Sequence, residues 1–146
     1  MHTARRIGFI AALTLTWLSA CGDTQAPRGR WEGLSQSADW LVAVRLQVDP
    51  KNTMHSTALS VSVKDISLPR RMELTRKIKE TLVEQWPDAV VGKIDYSGNT
   101  ITRAGGVAPL FVFDPKSGAM TFHFYAGGKL TEKIKLYPVK YFADAT

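Results

Sequence analysis

The hydrophobic period switches twice along this chain, and those switches restrict its fold more than any other feature. From Trp40 to Asp49 the residues alternate: Trp40, Val42, Val44, Leu46 and Val48 share one face, with Arg45, Gln47 and Asp49 on the other. Period two over that length predicts a half-buried strand. A second alternating run sets Leu59, Val61 and Val63 against Ser60, Ser62 and Lys64. Asp49-Pro50-Lys51-Asn52 lies between the runs as turn chemistry, so the two are expected to pair antiparallel. Between Ser67 and Trp86 the period becomes helical. Leu74, Ile78, Leu82 and Trp86 recur every four residues with Met72 and Val83 on their flanks, while Glu73, Arg76, Lys77, Glu80 and Glu84 lie opposite. This predicts an amphipathic helix with Ser67 as N-cap, Pro69 in its first turn and Pro87 as its stop. Alternation then resumes in residues 90–96, 100–103, 110–113, 120–125 and 130–141, separated by segments rich in Gly, Asn, Asp and Pro.

The expected fold is therefore α+β: an antiparallel, curved or partly closed sheet of about seven strands, with one amphipathic helix inserted after the second strand. At 146 residues, 45% hydrophobic and 22% charged, the chain fits one globular domain, and collagen-like or wholly disordered readings are excluded.

Residues 1–20 read as an address rather than as fold. Arg5 and Arg6 precede an uncharged stretch from Ile7 to Ala20, shorter than the roughly 20 residues of a spanning helix. Leu18-Ser19-Ala20-Cys21 resembles the lipobox of bacterial lipoproteins, and Cys21 is the single cysteine of the chain. The resemblance implies cleavage before Cys21, lipidation of its thiol, and stable anchoring by several acyl chains on the periplasmic side of a bacterial envelope. In the family's sorting rule an Asp directly after the cysteine retains the protein in the inner membrane. Gly22 stands there, which favours the outer membrane. The expected organisation is a signal peptide over 1–20, the lipidated cysteine and a tether over 21–30, and a globular domain over 31–146. Acylation leaves the domain without a free thiol, which excludes cysteine catalysis.

No residues nominate a reaction. His55 and His123 are the histidines of the mature chain, and neither has a glycine-flanked elbow serine to activate. Two distant histidines without a cysteine make no zinc set, and Gly105-Gly106 is not followed by a phosphate-binding pattern. Glu73, Glu80 and Glu84 belong to a solvated helix face. The sequence predicts no catalytic residue, no metal and no cofactor.

The basic residues say more. The chain carries 19 Lys and Arg against 13 Asp and Glu, and Arg70, Arg71 and Arg76 gather near the helix start. On one strand Lys129, Lys133 and Lys135 alternate with Leu130, Ile134 and Leu136, and Thr131 and Tyr137 share the lysine face. Two readings stay open: protection of an exposed sheet edge, or a cationic face for an acidic partner. In an envelope the expected partners of such a face are lipid phosphates, cell-wall polymer or an acidic protein rather than nucleic acid, with an acidic protein taken as the leading one.

Gly29-Arg30-Trp31 resembles the Gly-x-Trp start of lipocalin-like barrels, although the helix interrupts the usual all-β order. That resemblance implies a curved sheet able to enclose a ligand, with Phe111 and Phe113, or Phe122 and Phe124, as lining. The expected function is an envelope-anchored, non-enzymatic binding lipoprotein acting by protein–protein contact. By analogy of class, that includes an inhibitor or immunity protein against a periplasmic toxin or cell-wall hydrolase. The alternatives are a lipocalin-like carrier of a small apolar ligand and, third, a periplasmic hydrolase using His123 or His55.

Overall fold

A computed structural model describes residues 25–143. The elements run β1 (Gly29–Gln36), β2 (Trp40–Asp49), β3 (Thr53–Ser62), α1 (Leu68–Gln85), a 3-10 turn (Trp86–Asp88), β4 (Val90–Ser97), β5 (Thr100–Arg103), β6 (Phe111–Phe113), β7 (Met120–Ala126) and β8 (Lys129–Val139). Each strand pairs antiparallel with the next, and β8 returns to β1, closing a barrel of eight strands. The antiparallel sheet and the one amphipathic helix among the described residues match the sequence reading. Two parts of that reading are corrected: the sheet is a closed barrel of eight strands rather than a partly closed sheet of about seven, and the helix follows the third strand rather than the second.

Both corrections come from β1. Its sequence, Gly-Arg-Trp-Glu-Gly-Leu-Ser-Gln, puts one large apolar residue on each face, so period two hardly registers. Glycine serves closure here. A Cβ on Gly33 would lie 2.6 Å from the carbonyl oxygen of Lys135, so only a bare backbone lets β1 approach β8. The strand also begins inside the expected tether. Gly29 and Arg30 are already paired in β1, and Ala26 is buried with its amide donating to Asn52 Oδ1 at 2.8 Å. The signal peptide and Cys21 lie outside the described residues.

Tight hairpins match the turn chemistry. Lys51-Asn52, Gly98-Asn99 and Gly127-Gly128 each place two consecutive residues at positive φ, the geometry that suits the twist of antiparallel partners.

The barrel interior is filled by side chains. Val42, Val44 and Leu46 of β2 meet Met54, Ile94, Ile101, Phe111, Met120, Ile134 and Leu136 from the other walls, all 3% exposed or less. Eight strands enclose just enough room for such packing. Trp31 plugs one end, its indole Nε1 donating to Gly118 O at 2.7 Å and its ring edge-on to Phe113.

The outer face of β2 is buried too, which corrects the half-buried reading. Leu41 and Ala43 pack with Val63, Ile78 and Leu82 beneath α1. Arg45, expected to face solvent, is 5% exposed. Its guanidinium donates to the Ala143 carbonyl, lies 3.5 Å from Glu32 and stacks 4.9 Å from the Phe142 ring. The chain end therefore covers β2 where the helix stops. Trp86 joins this cover, edge-on to Phe142 at 4.8 Å. Met72, expected on the helix flank, is 66% exposed.

Candidate functional site

The lysine row lies on the outside of the β7–β8 wall. Lys129, Thr131, Lys133, Lys135 and Tyr137 are all exposed. The ladder sets Lys133 opposite His123 and Lys135 opposite Thr121, and Glu32 pairs with Tyr137 on the β1 side. A register shift at Phe124/Tyr125 sets Leu130 opposite Tyr125, so Lys129 pairs with Ala126 in the other phase. The structure thus brings Lys133, Lys135 and Tyr137 onto one face and separates Lys129 and Thr131 from them. The Lys135 ammonium lies 5.5 Å from the Tyr137 ring centroid, a cation–π contact that orients both.

Closure bears on the edge-protection reading. β8 has β7 along its length, and β1 at Tyr137–Val139. Gly33 sits against the Lys135 backbone as well, so β1 still covers β8 just past the paired ladder, which ends at Tyr137.

The cluster of Arg70, Arg71 and Arg76 is internally engaged. Arg71 donates to the carbonyls of Ser37, Ala38, Val63 and Ile66, tying the helix start to the β1–β2 turn. Arg70 pairs with Glu73 at 3.0 Å and Arg76 with Glu80 at 2.6 Å. That leaves β8 as the more available cationic surface.

His123 lies within this face. Burial pushes its imidazole below the ordinary value of 6.5, Lys133 adds to the effect, and Nδ1 is buried without a hydrogen-bond partner. The unfolded chain therefore takes up this proton first as pH falls below about 6.5, and stability is lost as pH drops through the lower folded-state value. Chemical denaturation at about pH 7 and about pH 5 should show a larger drop for the wild type than for His123→Gln. Equal drops would remove His123 from the acid response. His55 sits within β3 and binds Asp49 at 2.9 Å, while His123 is on β7, so the structure does not bring the histidines into one pair. Among the described residues no group of three His, Cys, Asp or Glu side chains could hold a metal.

A second feature opens in the barrel wall. The β3–β4 ladder covers only Thr53–Ser56, so the far half of β3 lacks a neighbour on that side. β5 and β6, with four and three residues, leave the gap unfilled. A cleft of about 600 Å³ results, with Val44, Phe111 and Phe122 at its base and Ser56, Asp88 and Arg103 at its rim. Phe111 and Phe122 are cross-strand partners with ring centroids 5.2 Å apart. Of the four phenylalanines expected to line a cavity these two do; Phe113 packs on Trp31 and Phe124 on Trp40. Beyond Met54 the inward face of β3 carries only the small residues Ser56, Ala58, Ser60 and Ser62, which leave the cleft open but do not by themselves show where the β3–β4 ladder stops.

Fold and surface together define a class: a side-chain-filled, up-and-down antiparallel barrel with one helix packed outside it, a cationic wall and a lateral cleft. Comparison with protein-family models, with curated proteins and with solved structures finds no match for this chain.

Proposed function

We propose that the protein is an envelope-anchored, non-enzymatic binding lipoprotein that docks an acidic protein partner on the outer face of β7 and β8. A secreted toxin or cell-wall hydrolase that it inhibits would be such a partner. The observation that carries this reading is the register that gathers Lys133, Lys135 and Tyr137 on a closed wall. The lysines steer an anionic surface toward the wall, and Tyr137, 58% exposed, supplies rigid apolar contact area. His123 sits opposite Lys133 at one end of the row, where burial and that lysine disfavour a further positive charge. Lipidation of Cys21, with outer-membrane placement, is part of the same proposal.

A photo-crosslinking residue at position 133, with another at 77 on the solvent side of α1, tests it in cells. A discrete adduct is expected from 133 and not from 77, lost on Lys135→Glu and reduced at high salt. Folding should be nearly unchanged by Lys133→Glu and Lys135→Glu, because exposed charges contribute little to stability. Adducts equal at both positions, or unaffected by charge reversal, would contradict the reading.

The cleft supports a second one, carriage of a small ligand with an apolar body. Its volume falls in the range of ligand pockets, and Phe111 and Phe122 give it an apolar base. Native mass spectrometry of the purified chain would show a bound small molecule, displaced in Ala58→Trp.

A further inference from the structure

We propose that the end of the barrel where the chain enters docks on the anionic phosphate headgroups of a lipid bilayer. The inference rests on the lipidation of Cys21 proposed above and adds to it an orientation and a lipid chemistry. Ala26 is 4% exposed in the main core, and its amide is held by Asn52. Cys21 lies only five residues earlier in the chain. A fully extended segment of that length reaches at most about 17 Å. An acylated Cys21 at the bilayer surface therefore keeps the β2–β3 turn within that radius.

In an up-and-down barrel alternate connections share one end. The turns at 49–53, 97–100 and 114–118 thus lie with the entry into β1 and the exit from β8. The Trp31 hydrogen bond to Gly118 ties two of these together. This end carries exposed Arg28, Arg30, Lys51, Lys93, Lys116 and Lys140. Two pairs of them are in contact: Arg30 donates to Lys140 O and Lys93 Nζ to Lys51 O, each at 3.2 Å. The carboxylates nearby are engaged locally. Asp49 holds His55 and Gln47, Asp95 accepts from the Gly105 amide, and Asp114 accepts from Ser117 and Lys116.

The surface suits lipid headgroups in shape and composition. A groove lined by Arg28, Arg30, Pro50 and Asp49, whose carboxylate is engaged by His55 and Gln47, has a volume of about 620 Å³. Tyr141, 74% exposed and stacked under the Lys140 ammonium, is an amphipathic aromatic of the kind that settles at headgroup level. Basic clusters beside a lipid anchor add electrostatic attraction to anionic lipid. Docked this way, the barrel stands on end, and the β7–β8 wall rises clear of the bilayer.

Energy transfer in vesicles tests the orientation. The mature chain, purified from bacterial membranes with its acyl groups, is placed in phosphatidylcholine vesicles with or without phosphatidylglycerol, which carry a headgroup-labelled acceptor. Donor dye sits on Tyr141→Cys at the entry end or on Ala38→Cys in the β1–β2 turn, about 30 Å away along β2. With phosphatidylglycerol, transfer should be severalfold stronger from Tyr141→Cys. The gap should shrink at high salt and with Arg28→Glu, Lys51→Glu and Lys116→Glu combined. Equal transfer from both sites, or a gap indifferent to these changes, would overturn the docking while leaving lipidation intact. A mature chain whose mass shows no acyl group on Cys21 would overturn both.

Discussion

Replacing Trp31 by alanine should cost about 3–5 kcal/mol of stability, the range of a large aromatic removed from a packed core. The side chain is 4% exposed and does three things at once. Its ring fills the entry end of the barrel against Phe113, its Nε1 holds the Gly118 carbonyl, and it packs under Gly29, where a Cβ would lie 3.3 Å from the ring. Truncation leaves a cavity at the place where β1 must pair with β8, so the chain loses packing and closure together. Trp31→Phe should recover most of the loss, because it keeps a ring and gives up one hydrogen bond of about 1 kcal/mol. Denaturant midpoints for the two variants separate the contributions. A cost under about 1 kcal/mol for Trp31→Ala would mean that this end is not held by the indole.

Leu82→Ala is the second large effect, at about 2–5 kcal/mol. Leu82 and Ile78 are the buried residues of α1, and they cover Leu41 and Ala43 on the outer face of β2. Without them that face would expose a contiguous apolar patch to water, so the helix is part of the barrel's second core rather than an appendage. Lys77→Ala, on the exposed side of the same helix, should be nearly silent. If the two variants unfold at the same denaturant concentration, the helix does not pack as described.

The residues that could be read from sequence are those whose neighbours are local. Trp40 to Asp49 shows its period because five inward positions are large and apolar, and the hairpins announce themselves through Asn, Gly and Asp at their corners. Asp114-Pro-Lys-Ser-Gly is a self-contained turn: the Ser117 hydroxyl and the Lys116 amide hold the Asp114 carboxyl below the usual carboxylate range. β1 stayed hidden because its inward positions after Trp31 are Gly33, required by the closeness of β8, and Ser35, neither of which registers as apolar. Arg45 reads as a solvent-facing charge until Phe142 and Ala143 arrive from the far end of the chain. The lysine row was legible as alternation, yet the bulge that shifts Lys129 out of phase depends on β7. The cleft depends on where the β3–β4 ladder stops, which no local pattern encodes.

The proposed acylation of Cys21 underlies the proposed envelope placement, class of partner and standing orientation of the barrel. Radiolabelled palmitate fed to cells that express the chain measures it directly. The wild type should carry label in a mature chain cut before Cys21, and Cys21→Ser should accumulate as an unlabelled, uncut precursor. Label persisting in Cys21→Ser, or a wild-type chain cut elsewhere and carrying none, would contradict the account.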